Sequence, residues 1–132
     1  MQKIFLLFAS LSGAFGVILG AMGSHWLKEK VNYLELNSFE TGVRYQFIHV
    51  FALLTVALLM EKIDSKLLIY SGWMFIVGTM LFSGSLYGLS IKSILTINYT
   101  SFLGPITPAG GLILIIGWIM LFFSILFEYK DL

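Results

Sequence analysis

Cysteine is absent from this chain of 132 residues, which excludes disulfides, thiolate zinc or iron–sulfur centres and a cysteine nucleophile. Any metal site would need oxygen ligands or the two histidines, and neither a metal nor another cofactor is expected. Charge is scarce too. Asp, Glu, Lys and Arg make up 11% of the chain with a net charge of +1, and no basic run exists to hold phosphates, so nucleic acid is not an expected partner. Proline occurs only at Pro105 and Pro108, so the rest of the chain is free to form long helices.

What fills the sequence instead is apolar. Hydrophobic residues reach 58% and the mean hydropathy is +0.93, against the roughly 45–50% apolar content of soluble domains. Four apolar runs joined by short connections leave no length for a second domain. The expectation is an all-α integral membrane protein of one domain over 1–132, a four-transmembrane-helix antiparallel bundle with helices at about 4–24, 38–60, 67–91 and 109–127. The first run has small residues near its end (Gly20, Ala21, Gly23, Ser24) that resemble a signal-peptide cleavage region, but it is long enough to span and is read as a membrane helix.

The stretch from Asn37 to Met60 carries the most information. Asn37 followed by Glu40 fits a capping box, which starts the second helix there. Glu40 and Arg44 are four apart in the favourable order for an ion pair, whereas Tyr45, Gln46 and His49 turn to another face and enter the apolar run. Polar groups in hydrocarbon are costly and mark candidate sites. Ser83 and Tyr87 on the third helix and His25 at the end of the first lie toward the same side of the membrane. The segment Leu103–Gly111, LGPITPAGG, is expected to form a shaped loop before helix four, with Gly104, Pro105 and Thr107 closing the polar cluster.

Glycines three or four apart at Gly13, Gly16, Gly20 and Gly23 form a stripe on helix one, and Gly110, Gly117 and Ser124 form another on helix four. Both read as packing seams. Lysine and arginine are tied between the two sides, and Lys3 with the amino terminus tips the expectation toward cytoplasmic termini in the cell membrane.

Together the segments GAMGSHWLK from Gly20, FETGVRYQFIHVFALL from Phe39, FSGSLYGL from Phe82, LGPITPAGG from Leu103 and the pair Gly117–Trp118 resemble the small multipass family known as domain of unknown function 423, or transmembrane protein 256-like. The similarity spans nearly the whole chain and departs from the family pattern at Ser24 and Trp26, where small residues are usual. It implies a four-helix integral membrane protein and carries no established activity.

No nucleophile–base–orienter set can be assembled, so the expected role is non-catalytic: a structural or accessory component among membrane lipids, packing with itself or a larger membrane complex. The alternative is a small-molecule, lipid-headgroup or proton pathway site at the bundle mouth, built on Arg44, His49, Gln46 and the 104–107 turn. A third reading, His25 and His49 as haem ligands, rests on two histidines alone.

Overall fold

The computed structural model of the chain describes residues 1–96 and 100–129, the side chain of Thr100 excepted. Four long helices account for most of it: α1 (Gln2–His25), α2 (Tyr33–Leu59), α3 (Lys66–Ser90) and α5 (Thr100–Glu128), with a 3-10 turn at Leu27–Glu29 and a short α4 (Lys92–Leu95) in the connections. Each long helix is apolar and long enough to cross a bilayer.

Helix α3 is the centre of the arrangement, with α2 along one side, α5 along another, and α1 leaning on α2. Small residues set these distances. A side chain at Gly16 would meet the Phe47 ring and one at Gly23 the Phe39 ring, so the α1 glycine stripe is consumed inside the molecule by α2. On the α3–α5 seam, a Cβ at Gly110 would sit 2.5 Å from the backbone nitrogen of Phe82, and Gly117 receives the Phe75 ring. The hydrophobic core gathers Phe5, Leu53, Val56, Leu68, Phe75, Leu114 and Leu121 from all four spans.

Helix α1 meets α3 near its own start. The Phe5 ring covers Gly72 and stands edge-on to Trp73 with centroids 5.9 Å apart. Gln2 Nε2 donates to the Ala57 carbonyl at 3.0 Å and to Glu61 Oε1 at 3.1 Å, which ties the same end to α2. Beyond this clasp α1 and α3 diverge, and a crevice opens between them.

Two expectations are corrected here. Helix α2 starts at Tyr33, not near residue 38, because the sequence contains Asn-x-x-Glu twice and the upstream copy is the cap. Asn32 Oδ1 accepts from the Glu35 N–H at 3.0 Å while Glu35 Oε2 accepts from the Asn32 N–H at 3.2 Å. Asn37 and Glu40 therefore lie inside the helix. Among the described residues Glu40 and Arg44 share no hydrogen bond, and both are exposed.

The Pro/Gly loop is helical: Leu103–Gly111 lies within α5. Pro105 and Pro108 are three apart and both exposed, so their rings fall on one outward face rather than in the packed seam. Each proline forfeits one bond of the ladder, to the carbonyls of Ser101 and Gly104, which a helix of 29 residues anchored along α3 tolerates near its beginning. Residues 97–99 of the expected connection lie outside the described residues.

Candidate functional site

The crevice between α1 and α3 has a volume of about 370 Å³. Its walls are Phe8, Leu11 and Phe15 of α1 and Met80 and Gly84 of α3, and its floor is polar: Ser12, Gln46, Thr79, Ser83 and Tyr87. Leu11, Phe15 and Met80 are 60%, 52% and 62% exposed, so the mouth opens sideways toward the surrounding bilayer.

Gln46 ties the floor together. Its Nε2 donates to the Ser12 carbonyl of α1 at 2.7 Å, and its Oε1 accepts the Tyr87 hydroxyl of α3 at 2.6 Å, so one α2 amide bridges three helices. Tyr87 reaches it because Gly42 has no side chain to block the ring, which also packs on Phe39 with centroids 5.0 Å apart. Ser83 Oγ donates to the Gly42 carbonyl at 2.8 Å and fixes α3 on α2 at the same level. In a dry interior such pairs remove the cost of unsatisfied polar groups.

His49 lies one turn deeper and is buried. Its Nδ1 lies 2.7 Å from the Tyr45 carbonyl and its Nε2 lies 3.2 Å from Trp118 Nε1 of α5. An indole N–H only donates and a carbonyl only accepts, so Nδ1 carries the proton, Nε2 is the acceptor, and the ring is the neutral tautomer. Both nitrogens are thereby engaged, leaving neither for a metal or haem iron. Among the described residues no group of three or more His, Asp or Glu side chains gathers where a metal would fit.

Comparison with known proteins agrees with this architecture. Residues 19–111 match the family described as "Protein of unknown function (DUF423)". The chain belongs to the DUF423 family. It is 39% identical to the UPF0382 membrane protein YwdK of Bacillus subtilis over 91% of this chain and 94% of that one. It is 37% identical to the UPF0382 membrane protein SAB0533 of Staphylococcus aureus, over 91% and 93%. With the UPF0382 inner membrane protein YgdD of Escherichia coli the identity is 34%, over 91% and 87%. No solved structure matches the chain.

In this DUF423 chain the residues singled out from sequence divide into those the fold gathers and those it leaves apart. Gln46, Tyr87 and Ser83 form one group, His49 and Tyr45 a second, and Thr107 pairs with Ser85, hydroxyl to hydroxyl, at 2.7 Å. His25, Glu40 and Arg44 are exposed, and so is Pro105; Gly104 is half-buried on α5 beside open space. Thr79 shares the crevice with Ser83 and Tyr87, as its place on the hydroxyl-bearing side of the third helix implies. Three participants were missed. Ser12 and Trp118 give no local signal because their partners come from other helices. Glu35 did carry one, the first Asn-x-x-Glu; buried, it also accepts from Ser93 Oγ at 2.8 Å and so holds the start of α2 to α4.

Proposed function

We propose that this DUF423 chain is a non-catalytic component of the membrane, working as a structural or accessory subunit beside a second copy or within a larger membrane assembly. One observation carries the reading. Gln46, Tyr87 and Ser83 donate hydrogen bonds to a neighbouring helix, and His49 and Glu35 accept them from one, so these groups suited to chemistry are engaged in holding the bundle together. A catalytic group has to keep a lone pair or proton for its substrate.

The outer surface supports the second half of the proposal. Helix α1 rests on α2 along its glycine face and presents Leu7, Leu11, Phe15 and Ile18 outward, while α5 presents Ile115, Ile119, Phe122 and Leu126. Such faces fit lipid chains or the apolar helices of another subunit. In this reading both termini are cytoplasmic, with Lys3 on that side.

Mass spectrometry of the assembly extracted from native membranes in mild detergent tests the proposal. A discrete oligomer or a reproducible partner is the expected result. A monomer with no partner after crosslinking overturns it.

A further inference from the structure

Hydroxyls in this bundle follow a pattern, and one on the crevice floor breaks it. Ser10, Ser24, Ser38, Thr41 and Thr55 each donate to the carbonyl four residues earlier, at 2.8–3.0 Å. That is the ordinary way for a helical hydroxyl to satisfy itself in an apolar medium. Thr79 does not: it is 7% exposed, and its Oγ1 is buried with no partner. Ser12 lines the same crevice floor, where its carbonyl and not its hydroxyl is the group that Gln46 engages. Gln46, between them, uses one amide hydrogen on the Ser12 carbonyl and has a second to give. Ser71 and Ser124 also lack partners, but neither lines the crevice.

The floor thus holds surplus donors around a space that opens to the bilayer. What completes it is an acceptor oxygen. No lining residue carries a formal charge at neutral pH, and a charged group at this depth would be strongly disfavoured, so the ligand is uncharged. Depth narrows it further. Ser12 lies about 15 Å along α1 and Thr79 about 20 Å along α3, by ~1.5 Å per residue, which is near the middle of ~30 Å of hydrocarbon. The charged phosphates of phospholipids sit at the edges of that layer. The volume of about 370 Å³ lies within the roughly 300–1,000 Å³ usual for small-molecule pockets.

We propose that the crevice between α1 and α3 is a binding site for an uncharged carbonyl lipid, whose oxygen is held by Thr79, Ser12 and Gln46 and whose apolar skeleton lies between Phe15 and Met80. Two sources supply this chemistry, a quinone ring or a neutral acyl ester. The site lies beside the structural hydrogen bonds, and because its mouth shares Leu11 and Phe15 with the outward face of α1, lipid and not a second subunit occupies that part of the face.

The test is retention of a probe by the purified full chain in mild detergent, read by native mass spectrometry. Ubiquinone-1 represents the quinone, dioctanoylglycerol the neutral ester and dioctanoyl phosphatidylglycerol the charged comparison. Gly84 lines the crevice and a Cβ there meets nothing within 4 Å, so Gly84→Leu adds bulk at the mouth from an open position. Thr79→Val keeps the shape and removes the hydroxyl. The expected result is one molecule of an uncharged probe per chain, with affinity at least ~10-fold lower in Gly84→Leu and about 2- to 10-fold lower in Thr79→Val, the latter being one lost hydrogen bond. Whichever uncharged probe is retained names the source. The proposal is overturned if neither is retained, if only the phosphatidylglycerol is, or if Thr79→Val, folded as judged by an unchanged or raised melting temperature, binds as well as the parent chain.

Discussion

The indole of Trp118 on α5 donates to Nε2 of His49 on α2 across 3.2 Å, a side-chain hydrogen bond between two helices that both pack on α3. Phe75 fills the angle between them, its ring centroid 5.6 Å from His49 and 5.1 Å from Trp118. Nitrogen-15 spectra of labelled chain at neutral pH should show Nδ1 protonated and Nε2 as an acceptor. Trp118→Phe keeps an aromatic ring but removes the donor, leaving Nε2 buried and unpaired. A loss of about 1 kcal/mol is expected, from the typical worth of hydrogen bonds between membrane helices and the added cost of an orphaned acceptor.

The two Asn-x-x-Glu copies make a second test possible. Asn32→Ala removes the side-chain acceptor for the Glu35 N–H and should cost about 0.5–2 kcal/mol. Asn37→Ala, an exposed position inside the helix, should cost nothing or stabilise slightly by helix propensity. Unfolding in mixed micelles of increasing denaturing detergent ranks the two.

Glycine substitutions should separate sharply by what stands opposite. Gly110→Ala drives a methyl group into the backbone of Phe82, which cannot rotate away, and should cost several kcal/mol or prevent α3 and α5 from docking. Gly104→Ala meets nothing within 4 Å and should be neutral or gain up to about 1 kcal/mol from helix propensity. Melting temperatures of the two variants in one detergent decide it.

Gln46 and Tyr87 should behave as a coupled pair. Tyr87→Phe removes one hydroxyl and is expected to cost about 0.5–1.5 kcal/mol. In a double-mutant cycle with Gln46→Leu the two losses should fall short of adding, because either change breaks the same 2.6 Å bond. Strict additivity would mean that the bond does not contribute.

Because the chain has no cysteine, single cysteines placed at Lys62 and at Lys28 report the side of each connection without interference. With cytoplasmic termini, the Lys62 position is protected from a membrane-impermeant thiol reagent added outside intact cells and the Lys28 position is labelled. The reverse pattern inverts the orientation.

Hydropathy was enough to find the four spans, because a bilayer demands unbroken apolar length and few other arrangements satisfy it. Gln46, Tyr87 and Ser83 were also legible as costly polar groups facing inward. Local rules misled where tertiary packing outweighed them. The second Asn-x-x-Glu resembled a cap as closely as the first, and in the fold the first differs in that Glu35 is buried and also accepts from Ser93. Two prolines with neighbouring glycines read as a loop, yet the long contact of α5 with α3 carries the helix through them. Trp118 as the partner of His49 was not legible, since their separation of 69 residues leaves no local trace.

The prolines in α5 also act as a depth gauge. The oxygens of Ser101 and Gly104, deprived of their amide partners along the rod, need water or headgroups, since oil offers them nothing. The first turn of this rod, from Ser101 to Gly104, is therefore the part of it that seeks a wet surface.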